Sequence, residues 1–108
     1  MTEDVQALFA RIREFGWDPK KRASNLGVHK IDFEDVKGIF DGYTFIRPSD
    51  RHGEIRYQIF GYVHGREVAV ACALRGETCW IISARRASRE ERREYYRRLA
   101  GRPATGKD

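Results

Sequence analysis

The spacing of the apolar residues predicts an α+β fold: N-terminal helices, a four-stranded antiparallel meander sheet and a C-terminal basic helix. Up to Phe40 the apolar residues recur every three or four positions, from Tyr43 to Ala84 they alternate, and after Ser88 the helical spacing returns. The later alternating segments are joined by short glycine-containing turns, which requires antiparallel neighbours. A chain of 108 residues, 41% hydrophobic, holds a single domain over residues 1–100. Residues 101–108 (GRPATGKD) have the composition of a frayed end.

Each element follows from local chemistry. Val5, Leu8, Phe9 and Ile12 make a first helix after Thr2, a residue type suited to the N-cap, with Gly16 as its stop. Asp18-Pro19 starts a second helix that runs to about His29, with Ala23 and Leu26 inward. Asp32 caps a third helix, in which Phe33, Val36, Ile39 and Phe40 form one stripe before Asp41-Gly42 turns the chain. Tyr43–Ile46 is the first strand, closed by Pro48. In the second, Ile55, Tyr57, Ile59 and Val63 face one side, and Arg56, Gln58, Phe60 and Tyr62 the other. His64-Gly65 leads into a third strand, Glu67–Leu74, and Arg75-Gly76 into a fourth, Thr78–Ala84. Ser88 and Glu91 form a capping box for the last helix, whose Tyr95, Tyr96 and Leu99 face the sheet. Helices are expected to cover one sheet face. A symmetric Arg75-Gly76 turn would pair Cys72 with Cys79 across the hairpin, with Cα atoms about 5.5 Å apart. Failure of that register would also remove Arg75 from the turn and from any catalytic cluster.

Charge is divided unevenly. Residues 1–84 hold 12 basic and 12 acidic side chains; residues 85–108 hold 9 basic and 4 acidic. Of the 21 basic residues 16 are arginine, whose planar fork suits phosphate or carboxylate. The basic end therefore points to RNA, DNA or an acidic protein. No apolar run is long enough to span a bilayer and no secretory signal is evident, so a cytoplasmic protein is expected. Two cysteines are too few for a disulfide framework, and His29, His52 and His64 are scattered, so neither metal nor cofactor is expected.

Three constellations can carry chemistry. Lys21, Asn25 and His29, four residues apart, share one helix face: a strip for phosphate binding and proton transfer, or a solvated face ending in a dipole-favoured histidine. Glu54, Arg56, Arg75 and Arg85 lie on and around the sheet, either as surface salt bridges or as arginines stabilising an oxyanion beside a carboxylate base. Arg89, Arg93 and Arg97 form a ridge on the last helix, with Arg86 near its start, either merely solvated or an RNA contact.

Beyond these, the run Phe15-Gly16-Trp17-Asp18-Pro19-Lys20-Lys21, then Asn25-Leu26, His29 and Phe33-Glu34-Asp35, resembles the opening of the BrnT toxin family. There a WDP-x-K segment precedes N-L-x-K-H-G-V-x-F-E-E. Gly53-Glu54-Ile55-Arg56-Tyr57, Gly61 and the block Ile81-Ile82-Ser83-Ala84-Arg85-Arg86-Ala87-Ser88 resemble its later motifs. Lys30 stands where the family pattern has glycine, and Val28 where it has lysine. The resemblance implies a RelE-like fold and a metal-independent endoribonuclease that arrests translation. It implies as partner a BrnA-type ribbon-helix-helix antitoxin, with operator DNA contacted only through the complex. Carried over by position, Lys21, Asn25, His29, Glu54, Arg56 and Arg85 are its polar matches. Charge stabilisation is then expected of Arg56, Arg75 and Arg85, and proton transfer of His29 or Glu54. RNA binding falls to Lys20, Lys21, Asn25, Arg86, Arg89, Arg93 and Arg97. The rival class is a nucleic-acid-binding or antitoxin-docking domain without catalysis.

Overall fold

In the computed structural model, which describes residues 4–51 and 53–102, two capping carboxylates begin helices where the sequence predicts them. Asp18 accepts the Lys20 amide at 2.9 Å to start α2 (Pro19–His29), and Asp32 accepts that of Glu34 at 3.1 Å to start α3 (Phe33–Val36). Helix α1 (Val5–Ala10) is capped by Asp4. Thr2, His52 and the part of the expected tail at 103–108 lie outside the described residues. The third helix is shorter than its apolar stripe: after one turn a separate 3₁₀ turn, Ile39–Asp41, carries the stripe on. Phe33, Val36 and Ile39 are buried all the same. The last helix, α4 (Arg89–Gly101), begins with the predicted Ser88–Glu91 box and takes in Gly101, one residue of the expected tail.

The sheet has five strands rather than four, and it is mixed. β2 (Phe45–Pro48), β3 (Tyr57–Val63), β4 (Arg66–Arg75) and β5 (Thr78–Arg86) form the expected meander, and β1 (Glu14–Gly16) adds to it parallel to β5, in the order β1-β5-β4-β3-β2. A three-residue strand with one apolar side chain, Phe15, shows no period, so the expectation that the first helix runs to Gly16 is corrected here. Pro48 belongs to β2 rather than ending it, because β2 is an edge strand and can lack an N–H.

The β4–β5 turn comes one residue later than expected, which moves each cross-strand partner by two. Arg75 pairs with Thr78, Leu74 with Cys79 and Cys72 with Ile81, with a bulge beyond Ala71. The loop is therefore Gly76-Glu77, with Gly76 at φ +62. A two-residue turn with positive φ only at its first central position needs glycine there, which moves Arg75 out of the turn and into the strand. Cys72 and Cys79 sit diagonally on one face as buried free thiols, and the contact between them with burial pushes the Cys72 thiol up.

Both faces of the sheet are covered, not one. Ile59, Val68, Val70, Cys72 and Ile81 meet α1, α3 and the 3₁₀ turn through Phe9, Phe33, Val36 and Ile39. On the other face Phe45, Phe60 and Ala69 meet Tyr95 of α4. Gly61 in β3 is required by the first layer, since a Cβ there would come within 2.8 Å of the Ile39 side chain.

Candidate functional site

Helix α2 lies against β5 beyond the reach of β1, and the contact is polar. Ala23 and Leu26, expected inward, are exposed; Asn25 is the residue α2 buries, at 6% exposure. Its Oδ1 accepts the Ala84 amide at 3.0 Å, and its Nδ2 donates to the carbonyls of Ala84 at 2.8 Å and Ile31 at 2.9 Å. A carboxamide carries one donor side and one acceptor side, as a peptide group does, so Asn25 completes the β5 edge where no strand pairs it. Asn25 thus positions α2 on β5, its amide group taken up by backbone partners, while it also lines the groove beside it.

The other two members of the strip do face outward. Lys21 and His29 line a groove of about 170 Å³ with Ser24, Val28, Ile82 and Ser83. Neither side chain makes a hydrogen bond or ion pair among the described residues. A larger hollow of about 690 Å³ lies elsewhere, between α1 and β2, and holds none of the predicted residues.

One residue beyond the Asn25 clamp, Arg85 projects to the α4 face. Its Nη1 and Nη2 donate to the two oxygens of Glu91 at 2.8 and 3.0 Å. Glu91 also accepts the Ser88 amide at 2.8 Å, and the Arg47 guanidinium stands 3.9 Å from it. Arg47 donates to Gln58 at 3.1 Å and lies over the Phe60 ring. Two arginines therefore flank one carboxylate, an arrangement equally able to grip a phosphate. Sequence reasoning missed Arg47, because the length of the loop before β3 hides the register that brings it beside Glu91.

The Arg85 fork holds the Glu91 carboxyl at about 2, against an ordinary 4.5, more than offsetting burial, which raises it. A carboxyl depressed on folding stabilises the protein fully above its unfolded value, and the stabilisation is lost as pH falls from about 4.5 through about 2. At 1.36 kcal/mol per pH unit this contributes at most about 3 kcal/mol. Glu91→Gln should accordingly lower stability near pH 6 by about 2–3 kcal/mol, and the deficit should shrink towards pH 2. Urea unfolding across that range checks it; a constant deficit would show that the ion pair contributes nothing.

The remaining predicted residues separate. Arg56 donates through Nε to Glu54 at 2.7 Å, just before β3. Arg75 and Arg85 share a face but lie six β4 positions apart in the ladder, roughly 20 Å. That is too far for both to hold one phosphate, so Arg75 leaves the catalytic set. Arg86, the next residue after Arg85, projects to the opposite face by strand alternation. Lys20 is exposed beside the groove but does not line it. On α4, Arg93 and Arg97 stand about 160° around the helix from buried Tyr95, so the ridge they form with Arg89 points to solvent. Arg97 is paired with Glu94.

Residues 17–91 match the family model of the ribonuclease toxin BrnT of type II toxin–antitoxin systems. Among solved structures, the fold is similar to the crystal structure of the Brucella abortus ribonuclease toxin BrnT. The two share a TM-score of 0.58 and 28% identity over 70% of this chain and 97% of that one. No curated protein matches the chain. The matched segment begins at Trp17, ahead of the α2 groove, and ends at Glu91, so it holds the Asn25 clamp and the Arg85–Glu91 pair together. The chain belongs to the BrnT family of ribonuclease toxins of type II toxin–antitoxin systems.

Proposed function

We propose that this protein is an endoribonuclease that cleaves RNA without a resident metal and thereby arrests translation, until a ribbon-helix-helix antitoxin of the BrnA type binds it. Operator DNA is then contacted only through that complex. The observation that carries the reading is the α2–β5 groove: a histidine and a lysine that have no partner among the described residues, beside the strand that carries Arg85. Among the described residues no three His, Cys, Asp or Glu side chains gather into a set able to hold a metal ion. In this reading the nucleophile of phosphodiester cleavage is the RNA's own 2′-hydroxyl.

In the proposed reaction neutral His29 takes the 2′-hydroxyl proton as the 2′-oxygen attacks the adjacent phosphorus. The bond to the 5′-oxygen breaks, and that oxygen takes the proton back from His29. The products are a 2′,3′-cyclic phosphate and a 5′-hydroxyl. Arg85 and Arg47 stabilise the charge that develops on the phosphoryl oxygens, and Lys21 holds the backbone. Glu54, the other candidate base, is paired with Arg56 at 2.7 Å and does not line the groove.

The test is RNA incubated with the purified protein in the presence of a chelator. Cleavage to cyclic-phosphate and 5′-hydroxyl ends is expected. His29→Ala should slow it by about 10²–10⁴-fold, with partial rescue by added imidazole. Intact RNA, or ends bearing a 3′-hydroxyl, would overturn the reaction proposed. Growth arrest on induction, relieved by co-expressing a small ribbon-helix-helix protein encoded beside it, checks the partner.

A further inference from the structure

Beyond α4 the sheet face continues uncovered, and one side chain there has no part in the core or in the proposed chemistry. Trp80 of β5 pairs with Gly16 of β1 on one side and Ala73 of β4 on the other. A Cβ at Gly16 would come within 2.9 Å of the indole, so the ring rests directly on the β1 backbone and cannot settle into it. The Arg75 guanidinium lies over the ring, its carbon 4.5 Å from the centroid. Arg75 makes no ion pair among the described residues, and Glu77, two residues on, stands 3.5 Å from Arg13. Arg75 is exposed, so the guanidinium presents its outer side to solvent.

We infer that Arg75, seated over the Trp80 ring, is a stacking platform for an unpaired nucleobase of the RNA. This deepens the ribonuclease reading and rests on it. RNA-binding proteins receive splayed bases on aromatic rings and on guanidinium planes. A guanidinium already laid on an indole is a weakly hydrated cation that needs little further ordering when a base arrives. The platform also stands where a neighbouring nucleotide can reach it. Trp80 is three β5 residues from Ser83, which lines the His29 groove, a distance of roughly 10 Å. The geometry thus gives Arg75 a role in base recognition in place of the phosphate contact its charge suggests.

Fluorescence reads the platform directly. The chain has two tryptophans, and Trp17→Phe leaves Trp80 as the sole tryptophan, excited selectively on the long-wavelength side of tyrosine absorption. Titrating that variant with a 2′-O-methyl RNA oligonucleotide, which lacks the attacking hydroxyl, should quench Trp80 emission. Arg75→Lys retains the charge but not the plane, and should weaken binding and quenching several-fold. Trp80→Leu, in the otherwise unaltered chain and with its fold checked by circular dichroism, should weaken binding about tenfold. Binding of an oligonucleotide with abasic sites should be insensitive to both substitutions. Binding without quenching, absence of binding, or an Arg75→Lys variant that binds like the parent would overturn the inference. Quenching by an oligonucleotide whose RNA counterpart is never cut would leave the platform standing and overturn the ribonuclease reading; cleavage without quenching would do the reverse.

Discussion

Replacing Asn25 by alanine should lower stability by about 3 kcal/mol, a drop of roughly 15 °C in melting temperature for a chain of this size. The amide accepts one backbone N–H and donates to two carbonyls, and a methyl group satisfies none of them. Each buried polar group left without a partner costs about 1–3 kcal/mol, and water entering at the β5 edge returns part of that. Asn25→Asp should not rescue: its shape is nearly unchanged, but a carboxylate would point its second oxygen at the Ile31 and Ala84 carbonyls. Urea unfolding of the two variants is the measurement. A loss below about 0.5 kcal/mol in Asn25→Ala would mean that α2 is held by something other than this clamp. The surviving folded fraction should also cleave poorly, since Lys21 and His29 take their place at β5 from the same contact.

Asn25 also shows where sequence reading stopped. It stands between two exposed side chains of the same helical face, so nothing in the local pattern separates a buried amide from a solvated one. Its partner Ala84 lies 59 residues further on. The family resemblance singled out the position without its reason. By contrast the caps at Asp18, Asp32 and Ser88, the His64-Gly65 turn and the meander were legible, because each is specified by residues within a few positions of one another. The β4–β5 register was legible in principle: with Gly76 required at the first central position, only Gly76-Glu77 can form the loop. Strand β1 was not, since its pairing with Thr78–Trp80 is a contact across more than half the chain. The loss of the family's glycine at Lys30 has a local meaning, for this residue ends α2 at φ 62, where a side chain costs about 1 kcal/mol relative to glycine. Its ammonium donates to the Gly27 carbonyl at 2.9 Å, so it caps the helix rather than joining the His29 groove.

Arg85→Ala should reduce RNA cleavage by about 10²–10³-fold, the usual consequence of removing one donor from a developing oxyanion. The same change must also cost stability, contrary to what a residue near a strand end suggests, because it strands the Glu91 carboxylate, which is only 15% exposed. A loss of toxicity alone would therefore not separate chemistry from folding. The double variant Arg85→Ala/Glu91→Gln does separate them. Glutamine at 91 can still accept the Ser88 amide and complete the capping box, and it leaves no charge to strand. Its stability should recover towards that of Glu91→Gln alone, while cleavage should remain at the level of Arg85→Ala. Arg85→Lys should fall with the alanine variant in cleavage, since an ammonium cannot hold both Glu91 oxygens and still direct further N–H groups at a phosphate, as the five-donor guanidinium can. Single-turnover cleavage and urea unfolding measured on the same four proteins decide the matter. Recovery of both stability and cleavage in the double variant would make Arg85 a structural residue, and would leave Arg47 and Lys21 as the cations that act on the phosphate.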